Sequence, residues 1–200
     1  MASINYARKE ISCKIVYYGP GMCGKTTNLQ HIHGHTSREK RGEMVSLATP
    51  GERTLFFDFL PLEAEQIHGF KTRFQLYTVP GQVMYNSTRR LVLRGVDGII
   101  FVCDSQWEKM REDLDSFHNL IDNLSSYGCS LETTPYVVQY NKRDLPNIAP
   151  VDYLQYLVNP RQVPSGEAIA IGGDGVFETL NAVCARVLAN LKHKQQAGAL

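Results

Sequence analysis

No stretch of the 200 residues approaches the ~18 consecutive apolar residues that a membrane span requires. The opening Met1-Ala2-Ser3-Ile4-Asn5-Tyr6 has neither the basic start nor the apolar centre of a signal peptide, and residue 2 is not the glycine that myristoylation needs. The chain ends Ala197-Gly198-Ala199-Leu200 without a prenylatable cysteine, so no direct membrane anchor is expected. Charge of one sign is also missing. Lys plus Arg number 21 and Asp plus Glu 20, a balance that argues against affinity for nucleic acid or an anionic surface. The cysteines, Cys13, Cys23, Cys103, Cys129 and Cys184, are odd in number and show no C-x-x-C spacing. They read as reduced thiols of a cytoplasmic protein. Repeats and low-complexity segments are absent as well.

What is present is a chain that is 43% hydrophobic and long enough for one α/β domain with an ample core. The apolar run Ile15-Val16-Tyr17-Tyr18 leads into Gly19-Pro20-Gly21-Met22-Cys23-Gly24-Lys25-Thr26, which fits G-x-x-x-x-G-K-[ST]. A strand followed by this pattern and then a helix is a phosphate-binding loop. Backbone N–H groups turn inward around a β-phosphate, Lys25 addresses the β/γ-phosphates, and the Thr26 hydroxyl can sit on Mg²⁺ at the helix N-terminus.

A second motif narrows the base. The strand-like Tyr136-Val137-Val138-Gln139-Tyr140 ends in Asn141-Lys142-Arg143-Asp144, an N-K-x-D pattern. An Asp144 carboxylate only accepts hydrogen bonds, and guanine presents two adjacent donors on its Watson–Crick edge where adenine presents none. The aliphatic stem of Lys142 can cover the purine face. Asn141 can either address the O6/N7 side or brace the phosphate loop.

Between these motifs, strands are expected at about 11–18, 54–61, 70–79, 96–104 and 136–140, with a short one at 44–47 and a last one at Ala168-Ile169-Ala170-Ile171. Helices are expected at about 25–35, 85–94, 106–127, 151–158 and 176–193. The stripe Trp107, Met110, Leu114, Phe117, Leu120, Ile121 and Leu124 has helical spacing and reads as core. His31, His33 and His35 form H-x-H-x-H, of which only His31 and His35 share a helical face. Imidazoles near a helix C-terminus explain them better than a metal site does. The polar stretch 36–52, broken by glycine and proline, is where a mobile switch would lie.

The third element, Thr78-Val79-Pro80-Gly81-Gln82, is similar to the D-x-x-G-Q segment of Ras-like GTPases, with Thr78 where the Asp usually stands. Together with Glu52-Arg53-Thr54-Leu55-Phe56-Phe57-Asp58-Phe59 and the two motifs above, it makes the chain resemble, over nearly its whole length, the MglA family of bacterial Ras-like small GTPases of cell polarity and gliding motility. The resemblance implies a P-loop NTPase of the Ras-like small GTPase class. Its α/β domain, spanning 1–195 with a flexible tail at 196–200, would hold a mostly parallel sheet with one antiparallel strand and helices on both faces.

The resemblance also implies roles. Nucleotide would be held by Gly19, Gly21, Met22, Cys23, Gly24, Lys25, Thr26, Thr27, Gly81, Asn141, Lys142, Asp144 and Ala170, and Mg²⁺ by Thr26 and Thr54. Gln82 would orient the attacking water and Arg53 would act as an intrinsic arginine finger. The implied ligands are GTP or GDP with Mg²⁺. The implied partners are a roadblock-fold dimer similar to MglB, which stimulates an otherwise slow hydrolysis, and polarity and motility effectors that bind the GTP form. Thr78 offers Mg²⁺ a neutral hydroxyl in place of a carboxylate, and Asp58 is a candidate to compensate. Two other readings compete: a guanine-nucleotide-binding scaffold that hydrolyses poorly, motivated by Thr78, and an ATP-dependent phosphotransferase, opposed by Asn141 to Asp144.

Overall fold

The computed structural model describes the backbone of residues 3–49, 53–67, 70–82 and 85–196. Along the chain run β1 (Ser3–Asn5), β2 (Glu10–Tyr18), α1 (Lys25–His35), β3 (Val45–Thr49), β4 (Arg53–Ile67), β5 (Phe70–Thr78) and α2 (Asn86–Leu93). They are followed by β6 (Gly98–Asp104), α3 (Met110–Ser125), β7 (Tyr136–Asn141), α4 (Val151–Val158), β8 (Ser165–Glu167) and α5 (Val176–Gln196). The strands form one sheet in the order β3-β4-β5-β2-β6-β7-β8, with β1 paired to β2 off this path.

Hydrophobic alternation decides which side each helix takes. In β2, Cys13, Ile15 and Tyr17 face one layer while Val16 and Tyr18 face the other. The first layer is closed by Leu29 and Ile32 of α1 and Val176, Leu180, Val183 and Val187 of α5. The second is closed by Val92 and Leu93 of α2, Phe117, Leu120 and Leu124 of α3, and Leu154 and Val158 of α4. Strands β5, β2, β6, β7 and β8 pair in parallel, as right-handed crossovers through helices require. On the main path β4 alone runs against its neighbours, so the expected mostly parallel sheet with helices on both faces forms, and the short β1, antiparallel to β2, adds a second antiparallel strand off that path.

Several expectations are corrected in detail. The last strand lies at Ser165–Glu167 rather than at 168–171, because Val138 to Tyr140 of β7 pair with Ser165 to Glu167 and the chain then peels away from the sheet. The 106–127 helix begins as a 3-10 turn at Trp107–Lys109, which takes Trp107 off the apolar face. It packs instead against Tyr153 at the surface, ring centroids 5.0 Å apart, and Ile121 is also exposed. The short strand expected at 44–47 is β3, and β1 carried no strand signal. His31 and His35 stack face to face with centroids 3.9 Å apart, and His31 meets Phe177 of α5 edge-on. Among the described residues no group of three His, Cys, Asp or Glu could hold a metal ion, and no helix is long and apolar enough to cross a membrane. Of the tail expected at 196–200, Gln196 closes α5 and 197–200 lie outside the described residues.

Candidate nucleotide site

Because β5, β2, β6, β7 and β8 are parallel, the loops after Thr78, Tyr18, Asp104, Asn141 and Glu167 all leave the same edge of the sheet. Ligands of open α/β sheets bind outside the carboxyl ends of strands. Here that edge gathers the phosphate loop, the Gly81-Gln82 segment, the Asn141 motif and the loop of Ala170.

The phosphate loop is held from beneath. Gly24 sits before the first turn of α1 at φ 103°, a left-handed conformation that favours glycine, and a Cβ there would collide with the Asn141 amide. Lys25, 6% exposed, donates from Nζ to the carbonyls of Gly19 at 3.1 Å and Pro20 at 2.5 Å, with Cys23 Sγ at 3.6 Å. Cys23 is fully buried and burial raises its thiol pKa, so it fills the loop and does not present a reactive thiolate. Met22 stands out from the loop, 74% exposed, at a positive φ of 62°. Thr26 and Thr27 are half-buried in the first turn of α1.

Asn141 makes the bracing contact that was one of its two sequence alternatives. Its Nδ2 donates to the Cys23 carbonyl at 2.7 Å, and its Oδ1 accepts the Ala170 N–H at 2.9 Å. One side chain therefore ties the phosphate loop after β2 to the last loop after β8, with β6 and β7 between them. The Ala170 amide, expected to hold nucleotide, is directed to Asn141 in this arrangement.

Lys142 follows at φ 66°, a conformation rare for a side-chain-bearing residue and frequent at functional sites. Its Nζ lies 2.6 Å from Oδ2 of the fully buried Asp104. Asp144, by contrast, is exposed and clear of the sheet. Asp104 was not singled out from the sequence, although the signal was there. It ends a buried strand directly opposite Asn141 in register.

On the other side of the phosphate loop, Gly81 approaches Gly21 so closely that a Cβ would overlap the Gly21 backbone. Gly81 thus rests on the phosphate loop, and Gln82 is the next residue. Thr78 is fully buried opposite Tyr17 at the end of β5. Arg53 and Thr54 open β4, paired in the backbone with Thr49 and Ala48, and Asp58 pairs with Ser46. Their side chains, and Glu52 altogether, lie outside the described residues, so the expected finger, Mg²⁺ ligand and compensating carboxylate have a backbone position only.

A buried acid lies nearby. Asp113 at the start of α3 accepts the Asp104 N–H on Oδ1 at 3.0 Å, with the Cys103 thiol beside its carboxyl. Burial pushes its carboxyl up to about 8.

The sequence pattern of the ADP-ribosylation factor family matches residues 1–187. The chain belongs to that family. This ADP-ribosylation factor family chain is also 56% identical over 192 residues to the "Mutual gliding-motility protein MglA" of Myxococcus xanthus (strain DK1622), a match covering 96% of this chain and 98% of that protein. Members of the ADP-ribosylation factor family are small GTPases, so this chain is a guanine-nucleotide-binding switch with a GTP hydrolase site. The donor set would suit Mg²⁺ arriving with a nucleotide, since Thr26 and Thr78 offer neutral hydroxyls and Asp104 is engaged by Lys142.

Proposed function

We propose that the chain is a GTP/GDP switch that controls bacterial cell polarity or motility, binding its effectors in the GTP state and releasing them on hydrolysis. The observation that carries the nucleotide part is the double engagement of Asn141, which couples the guanine motif to the phosphate loop at Cys23 and to the loop of Ala170. Support for the process served comes from the gliding-motility relative and its 56% identity.

In this reading the phosphate-loop amides and Lys25 hold the phosphates, and Gly19, Gly21, Met22, Gly24, Thr26 and Thr27 shape that cradle. Asp144 accepts from guanine N1–H and the 2-amino group. The stem of Lys142 covers the purine while Asp104 fixes its ammonium. Mg²⁺, held by Thr26 with Thr54 closing in the GTP state, would neutralise charge on the β/γ-phosphates. Gln82 orients water and Arg53 neutralises charge on the transferring phosphoryl group, a contribution of ~10³–10⁵ in rate in comparable systems. Intrinsic turnover is slow and is raised by a roadblock-fold dimer similar to MglB. The protein works in the cytoplasm and reaches a cell pole through its partners.

The test is single-turnover hydrolysis of stoichiometric GTP with Mg²⁺ and excess roadblock dimer, with ATP in parallel. Conversion of GTP alone, lost in Arg53→Ala and Gln82→Leu while GDP affinity stays near that of the parent, is the expected result. Tight GTP binding without conversion would instead favour the scaffold reading suggested by Thr78. Equal turnover of ATP would overturn the guanine assignment.

A further inference from the structure

Arg89, in α2, is fully buried, and among the described residues it has no carboxylate within ion-pair distance. Taking a guanidinium out of water is costly unless its donors are satisfied, and an apolar side chain of similar length would pack the same helix at less cost. Its bonds are correspondingly specific. Nε donates to the Tyr18 hydroxyl at 3.0 Å, Nη2 to Ser116 Oγ at 2.7 Å, and Nη1 reaches the Gly81 carbonyl at 3.5 Å. The guanidinium carbon lies 4.4 Å from the centroid of the Tyr18 ring, close enough for a cation–π contact.

Each of these partners is itself tied to the site. Tyr18 is the last residue of β2, immediately before Gly19, and its hydroxyl is saturated: it donates to Asn119 Oδ1 at 2.7 Å and accepts from Arg89 and from Asn123 Nδ2 at 2.9 Å. Asn119 and Asn123 of α3 both donate to Asn86 Oδ1, in the first turn of α2. Gly81 is pressed against Gly21 on its other side. Gln82 is the next residue.

We propose that Arg89 is a positioning residue for GTP hydrolysis: its buried guanidinium fixes the Gly81-Gln82 peptide relative to the strand that carries the phosphate loop. It touches no substrate and acts through Gln82. Lysine would keep the charge but lacks the planar fork that serves Tyr18, Ser116 and Gly81 together. The proposal rests on the role given to Gln82 in the proposed function.

The test uses the full chain as Arg89→Lys and Ser116→Ala, with three readouts: single-turnover hydrolysis of bound GTP, GDP affinity, and amide hydrogen exchange of peptides spanning 79–94. Arg89→Lys should slow hydrolysis by about tenfold or more while GDP affinity changes by less than about threefold, since losing bonds to a charged donor is felt where Gln82 must be held. Ser116→Ala leaves the guanidinium but removes an acceptor, and should shift hydrolysis and exchange in the same direction by a smaller factor. Parental hydrolysis and exchange in both variants would overturn the proposal. Should Arg89→Lys fail to fold, parental exchange in Ser116→Ala overturns it alone. A parent chain that does not hydrolyse GTP would sink the proposed function, whereas the exchange readout, which needs no turnover, would still decide whether Arg89 holds the Gly81-Gln82 segment.

Discussion

Asp113 carries the clearest pH signature of any single residue. Its carboxyl ordinarily titrates near 3.8 and burial raises it to about 8 in the folded chain. Between those values the folded protein binds a proton that the unfolded chain does not, so stability falls as pH rises from about 4 and levels off above 8, with a slope of at most about 1.4 kcal/mol per pH unit. Asp113→Asn keeps the acceptor for the Asp104 N–H and removes the titration. The advantage of the variant over the parent in urea unfolding should therefore grow from pH 5.5 to pH 8.5. Parallel curves for parent and variant would show that Asp113 is not held protonated. Arg89 and Asp104 belong to the same class of residue: polar groups placed by burial whose importance no spacing announces.

At the scale of elements, α1 is fastened to the sheet by a reciprocal amide pair. Asn28 Nδ2 donates to Gln139 Oε1 at 2.9 Å and to the Gly24 carbonyl at 2.9 Å, while Gln139 Nε2 returns a bond to Asn28 Oδ1 at 3.0 Å and reaches Thr179 Oγ1 of α5 at 3.3 Å. Both amides are fully buried. Asn28→Ala should cost about 1–3 kcal/mol, because it leaves a desolvated Gln139 oxygen without its donor. Replacing both by leucine should cost less than the sum of Asn28→Leu and Gln139→Leu, a coupling that denaturant titration of the four proteins measures. Additive losses would mean that the pair does not act as a unit. The Gly24 carbonyl in this network links helix anchoring directly to the phosphate loop.

For the whole molecule, the loops of the site come from five strands and meet only in the folded sheet, so nucleotide binds the native state alone. GDP at about 100 times its dissociation constant should add about 2.7 kcal/mol and raise Tm by roughly 5–10 °C for a chain of this size. Differential scanning fluorimetry with GDP, GTP and ATP, each with Mg²⁺ or EDTA, checks this. A shift with ATP equal to that with GDP would contradict the selectivity assigned to Asp144, and loss of the shift in EDTA would report how far Mg²⁺ contributes.

Local pattern by itself determined a good deal. The apolar run before Gly19 had to be a buried strand, Gly24-Lys25-Thr26 had to open a helix, period-two alternation located β5, and 3.6-residue spacing located the helix after β6, since side-chain spacing alone sets which face can be buried. Strand alternation with helices then implied a mostly parallel sheet covered on both faces. What the tertiary structure decided was every choice between partners far apart in sequence. It turned Asn141 toward Cys23 and Ala170, set Asp104 under Lys142, moved the last strand to Ser165–Glu167, pressed Gly81 on Gly21 and enclosed Arg89 between Tyr18 and Ser116. The reason is physical: spacing fixes direction within an element, whereas the partner of a buried polar group depends on which elements pack together, and its cost in the absence of that partner is what makes the arrangement specific.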